Sequence, residues 1–205
     1  MKHIIINVGR QLGSGGHDIG RMLALDFQAK YYDRELLNLA AKESGFSEKF
    51  FEQNDERKGF FKGLFNMQTS HVSGGSMYKT NFSQESLFQF QSDAIIKAAK
   101  EGSCVFVGRC ADYILREFPN TVNIFITASM NYRINQIMNK QHMDYESARK
   151  FIESNESKRA AYYNYYTGKK WGAAESYDLC IDSSILGSVE TEKIIAEYIR
   201  KRFEL

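Results

Sequence analysis

Gly13, Ser14, Gly15 and Gly16 stand between an apolar run and a helix-like pattern. Such a cluster lets the backbone turn sharply and aim several N–H groups at one place. His17 and Asp18 follow, and Ile19, Met22, Leu23 and Phe27 then share one helical face. The helix would present its positive end to the same place, so the chemistry expected of this loop is the capture of an anion, with phosphate the natural fit. Arg109 ends the apolar run 103–107. There it reads as a guanidinium fork aimed at a phosphate, or as a structural arginine paired with a carboxylate such as Asp112. Asp33 closes a short strand-like run, 29–32. It reads either as the cap of the next helix or as a polar group at a strand's carboxyl end, where open α/β sheets bind ligands. Arg34 beside it suits an anionic substrate or a solvated helix start. Between residues 156 and 171, Lys158, Arg159, Lys169 and Lys170 interleave with Tyr162, Tyr163, Tyr165, Tyr166 and Trp171. Three readings fit that stretch: an RNA-stacking platform, a helix lying on another subunit, or a lid whose cations close over phosphates.

The elements that must position these groups follow from the apolar pattern. Ile4, Ile5, Ile6 and Val8 are β-branched without strict alternation, which suits a strand buried on both faces of a parallel sheet and left at Gly9 and Arg10. Further strands are expected at 103–107, 122–126 and 177–181, and helices at 34–41, about 84–99, 131–140, 145–155 and 189–203. The last helix takes Ile194, Ile195, Tyr198 and Ile199 as its packing stripe. Residues 46–82 break the rhythm: they are rich in Phe and carry a Ser-Gly-Gly turn, so they read as a helical insertion suited to covering an acceptor.

Two familiar phosphate-loop spellings are missed. With Gly15 as the second glycine of G-x-x-x-x-G-K-[ST], the lysine position holds Gly16 and the magnesium-binding hydroxyl position holds His17, while in G-x-G-x-x-G read from Gly13 and Gly15 the third glycine is Asp18. At 205 residues and 43% hydrophobic, the chain suits one domain, 1–205, with an inserted segment. A net charge of +2 gives no footprint of a dedicated nucleic-acid binder. Cys104, Cys110 and Cys180 lack C-x-x-C spacing and read as packed thiols of a reducing compartment, hence cytoplasmic. The histidines show no ligand spacing, so a metal site is left unassigned. No apolar run reaches membrane-spanning length.

Several blocks, in order, resemble the cytidylate-kinase-like family of P-loop nucleoside monophosphate kinases: Arg10 to Gly16 with Ile19 and Gly20, Tyr32 to Leu36, Val107 to Arg109, Ile124 to Ser129 with Arg133, and Tyr177 to Leu186. The resemblance implies a three-layer P-loop α/β fold, a central parallel sheet flanked by helices, with a helical insertion (46–82) that binds the acceptor and a lid (156–172). It implies ATP-dependent phosphoryl transfer with Mg2+ to a nucleoside monophosphate such as CMP or dCMP. Gly13, Ser14, Gly15, Gly16 and His17 would cradle the donor phosphates, Asp33, Arg34 and Arg109 would meet the acceptor, and Lys158, Arg159, Lys169 and Lys170 would belong to the lid. Departures are local. The residue after the Gly-Arg pair is Cys110 where the family has aspartate, the acceptor block reads DRELL, and the loop lacks its lysine, leaving Arg10 to supply the charge from upstream. Arg10, Arg109 and Arg159 are thus the expected working cations. The missing lysine and the long insertion also admit a nucleotide-binding regulatory or sensing protein, and the 162–171 stretch admits an RNA-associated one. Small-molecule nucleotides are the expected partners, with no membrane or nucleic acid, and a homo-oligomer is left open.

Overall fold

A computed structural model describes residues 3–34, 36–37 and 77–205, with side chains from residue 84 in the last stretch. The chain divides into one unit of Met1–Arg34 with Ile95–Leu205 and another of Glu35–Ala94. In the first unit, β1 (Ile5–Arg10), β2 (Lys30–Tyr32), β3 (Cys104–Val107), β4 (Thr121–Thr127) and β5 (Leu179–Asp182) form one sheet in the order β2-β3-β1-β4-β5. All four pairings are parallel. The helices are α1 (Gly16–Asp26), α2 (Met77–Glu101), α3 (Ala111–Ile114), α4 (Met130–Gln141), α5 (Tyr145–Thr167) and α6 (Gly187–Phe203), numbered over the described residues.

Strand β1 lies at the centre, and Ile5, Ile6, Asn7 and Val8 are buried whichever face they point to, as the run of branched side chains anticipates. On one face Ile6 and Val8 meet Val105 and Val107 of β3, Val122, Ile124 and Ile126 of β4, Ile19 and Leu23 of α1, and Ile195 and Ile199 of α6. On β1, Asn7 donates from Nδ2 to Oδ1 of Asn123, its register partner on β4, at 2.9 Å. A second core joins α4 and α5 through Ile134, Ile137, Ala148 and Ile152.

Several boundaries differ from the sequence expectation, each for a local reason. Strand β1 continues through Gly9 and Arg10, because the neighbouring β4 is long enough to pair Arg10 with Ile126. Helix α2 begins at Met77, before the expected 84 and inside the expected insertion, and it spans both units. The rest of the insertion, and the helix expected at 34–41 beyond Leu37, lie outside the described residues. Helix α5 continues past the expected end near 155 as far as Thr167, since nothing in 156–167 is a breaker; Gly168 stops it with φ 67°. Ile194 is 41% exposed while Ile195 and Ile199 are buried, so the α6 stripe is narrower than expected. Cys104 and Cys110 are packed, but Cys180 is exposed, because β5 is an edge strand whose alternate residues face out. Among the described residues no helix is long and apolar enough to cross a membrane.

Near the start of α6, Glu192 is 9% exposed and its Oε1 has no hydrogen-bond partner. Burial first, then the neighbouring Asp26, push its carboxyl pKa above the ordinary glutamate value, against the pull of Arg200 and Lys193. A raised folded-state pKa makes its contribution fully present below the unfolded value and lost as pH rises through the folded one. Glu192→Gln should therefore raise the urea midpoint at pH 7 and not at pH 4, measured by circular dichroism.

Candidate active site

The glycine loop is clamped from several sides before any ligand is considered. Gln11 donates from its backbone N to Ile126 O at 3.0 Å, and its Oε1 accepts from Ala128 N at 3.1 Å, tying the loop to the end of β4. The Leu12 amide donates to Glu156 Oε1 at 3.2 Å. That same oxygen accepts from Arg133 Nη1 at 2.6 Å, and Arg133 Nε donates to Ala128 O at 3.0 Å. Gly13 lies so close to α4 that a Cβ on it would stand 2.8 Å from Arg133 O. A ring of contacts from β4, α4 and α5 thus fixes the turn. Ser14 is fully buried; its hydroxyl donates to Gln11 O at 2.9 Å, and its carbonyl accepts from Ser183 Oγ at 2.6 Å. The hydroxyl thus closes the loop on itself, and what Ser14 offers outward is backbone. From Gly15 the chain enters α1, whose first-turn amides at Gly16, His17 and Asp18 have no earlier carbonyl within the helix to bond.

Beside this turn the structure brings together three of the arginines expected from the sequence. Arg10 lies at the end of β1, Arg109 just beyond β3, and Arg159 on α5. Arg159 Nη1 donates to the Arg10 carbonyl at 3.3 Å. Neither Arg10 nor Arg159 makes an ion pair with a described carboxylate. Loss of water lowers the Arg10 pKa to about 9; the like charges of Arg159 and Arg109 add to that, while Tyr31 and Asp33 oppose it. Arg109 and Arg159 are lowered too, chiefly by burial, and the charge of Arg34 adds to both. A partly buried concentration of positive charge of this kind favours an anion strongly.

Arg109 is held in an unusual pose. Gly108, Arg109 and Cys110 have φ of 81°, 61° and 59° in succession, and the left-handed region costs a non-glycine residue about 1 kcal/mol or more. The turn reverses the chain at the end of β3 into α3, and the Arg109 Cζ comes to lie 4.6 Å from the centroid of the Tyr162 ring. The alternative reading, a pairing of Arg109 with Asp112, is not what forms. The Asp112 carboxylate instead accepts from Tyr163 Oη at 2.6 Å, which ties α3 to α5. Burial raises the Asp112 pKa against that hydrogen bond, and burial followed by Asp112 raises the Tyr163 hydroxyl.

His17 and Asp33 meet across the site, Nε2 to Oδ2 at 3.1 Å, with Tyr31 edge-on to the imidazole at 5.6 Å. Sixteen positions separate them in the chain, and the first turn of α1 and the end of β2 bring them together. Arg34 is exposed. Lys158, Lys169 and Lys170 are exposed as well, Lys158 on α5 and the other two beyond its end. Of the tyrosines in this stretch, Tyr163 is buried and Tyr165 is 68% exposed, and Tyr162 packs on Tyr166 at 4.7 Å. The sequence does not single out Glu156 or Ser183. Their signal was weak, one acid among many in a charged helix and one serine in a Ser-Ser pair, because what matters is where the fold puts them.

A five-stranded parallel sheet with helices around it, and a glycine loop between its central strand and the next helix, defines a P-loop kinase fold. The chain belongs to the cytidylate kinase-like family, whose model matches residues 5–185. No curated protein matches its sequence. Among solved structures it is similar to an uncharacterized protein from Eubacterium ventriosum, at 26% identity and a TM-score of 0.73, over 96% of this chain and 98% of that one. It is also similar to TT1252 from Thermus thermophilus, at 14% identity and 0.57, over 98% of each chain. The shikimate kinase of Bacteroides thetaiotaomicron follows at 12% and 0.53, over 100% of each. The last two bear on the fold alone.

Because Glu156 faces the almost fully buried Arg133 and also holds the Leu12 amide, its loss should be costly. Glu156→Ala should destabilise the protein by about 3 kcal/mol in denaturant unfolding, since it leaves a buried guanidinium unpaired. A loss under about 1 kcal/mol would mean the loop is held in another way.

Proposed function

We propose that the protein transfers the γ-phosphoryl group of ATP to a small acceptor, and that the acceptor is a nucleoside monophosphate such as CMP or dCMP. The observation that carries this reading is the meeting of Arg10, Arg109 and Arg159, from three distant parts of the chain, beside a clamped glycine turn at a helix N-terminus. A kinase needs such an arrangement, because phosphoryl transfer is won by positioning and by countering charge, with little covalent chemistry from the protein.

In this reading the amides of Gly15, Gly16 and His17 orient the donor phosphates along α1. Arg10 and Arg159 hold the non-bridging oxygens as charge develops on them. Arg109, fixed by its turn and by Tyr162, faces the acceptor phosphate, whose oxygen is already a nucleophile and needs no strong base. Asp33 at the end of β2 and His17 on the first turn of α1, joined to each other, border the same space. The residues fit a polyphosphate, because Arg10 and Arg159 are half-buried cations with no described carboxylate pairing them. They fit magnesium as a companion of that polyphosphate: no group of three or more His, Cys, Asp or Glu among the described residues could hold a metal, so phosphate and water would supply most ligands, with Asp33 at hand. Bound there, Mg2+ would neutralise part of the charge on the donor phosphates.

A second reading, a nucleotide sensor that binds without transfer, draws on Gly16 and on His17, whose ring is tied to Asp33. The RNA reading has less support, since much of the tyrosine face that would stack bases packs against the chain's own residues. The test is turnover with ATP, Mg2+ and a panel of monophosphates. One acceptor should be phosphorylated, and Arg109→Ala should lower kcat by about 100-fold or more. Normal turnover by Arg109→Ala would overturn the assignment of Arg109, and nucleotide binding with no transfer to any acceptor would favour the sensor.

A further inference from the structure

Position 16 is where a loop of the G-x-x-x-x-G-K-[ST] kind carries its lysine, and here it is glycine. The structure shows what fills the space. A Cβ placed on Gly16 would stand 2.5 Å from Cβ and 2.9 Å from Cγ of Arg10, so the stem of Arg10 already lies where a side chain at 16 would begin. The other end of the same side chain lies over Gly108, where a Cβ would collide with Nη1 of Arg10. Arg10 therefore runs from the first residue of α1 to the turn beyond β3, bare backbone at each end. Two glycines 92 positions apart in the chain serve one side chain.

We propose that Arg10 is the donor-phosphate cation of this loop, delivered from the end of β1 in place of a lysine at the start of α1, and that positions 10 and 16 can hold only one such side chain between them. The proposal rests on the kinase reading above and deepens it. The loop has not lost its cation; it has moved the origin of that cation to the neighbouring strand. The chemistry changes with the move. A guanidinium presents planar paired donors, suited to bridging two oxygens, where an ammonium is a compact point charge. Arg159, donating to the Arg10 carbonyl at 3.3 Å, steadies the residue from behind and adds a second charge. Burial and the two neighbouring arginines make the unliganded cation costly, and a polyphosphate relieves that cost.

The test is a set of reciprocal substitutions, read as the ATP dissociation constant by equilibrium dialysis, with thermal unfolding to establish that each protein is folded. Arg10→Gln keeps most of the stem and removes the charge, so it should fold and bind ATP about tenfold or more weaker than wild type. Gly16→Lys adds the familiar lysine, and should nevertheless weaken binding by a similar factor because Arg10 is in its way. The double variant Arg10→Gly with Gly16→Lys removes both Cβ and Cγ of residue 10 and should recover most of the wild-type affinity, since the lysine then has the space. Equal binding by wild type and folded Arg10→Gln, or tighter binding by Gly16→Lys alone, would overturn the proposal. A wild-type protein that binds no ATP would instead overturn the kinase reading on which it stands, and this proposal with it.

Discussion

The structure depends most on the placing of like charge against like charge. Arg10, Arg109 and Arg159 share a partly buried space, each with its pKa lowered by burial, and no described carboxylate pairs with Arg10 or Arg159. Such a group would disperse unless its backbone were fixed elsewhere. It is fixed by β1 at the centre of the sheet, by the left-handed turn after β3, and by a long helix whose far half packs with α4. The nearby acids are largely engaged in supporting this arrangement. Glu156 serves Arg133 and the loop, Asp112 serves Tyr163, and Asp33 meets His17. What is left over is positive charge facing a glycine turn, and that excess is what the site offers a ligand.

The same supports connect the parts that phosphoryl transfer would have to coordinate. Helix α5 touches the loop through Glu156, Arg10 through Arg159, Arg109 through Tyr162, and α3 through Tyr163. Arg159 follows Glu156 by three residues, and Tyr162 and Tyr163 follow Arg159 by three and four, so a continuous helix places them along one side. Had the chain broken at residue 156, as an independent lid would, that coordination would require separate elements. One continuous helix thus reaches the loop, Arg10 and Arg109 together.

Much of this was legible in the sequence. The branched run Ile4 to Val8 specified a strand buried on both faces, and Gly13 to Gly16 before Ile19 and Leu23 specified the turn and helix, because local pattern decides such elements. Arg10, Arg109 and Arg159 could be picked out one by one from their neighbours. Their meeting could not, since it depends on strand order and on the path of α5. The Tyr163–Asp112 bond and the contact of Arg10 with both Gly16 and Gly108 are likewise long-range facts with no local signature. The missing lysine shows the difference most clearly. In the sequence it is an absence, and in the structure it is a space that another residue has filled.

The most direct test of the account is calorimetric titration of the wild-type protein with ATP and Mg2+, set beside the same titration with AMP. If the arginine group is an anion site built for several phosphates, ATP should bind at one saturable site, and AMP, with fewer phosphate oxygens to meet the cations, should bind at least about tenfold more weakly. Absence of saturable ATP binding, or equal affinity for the two nucleotides, would contradict it.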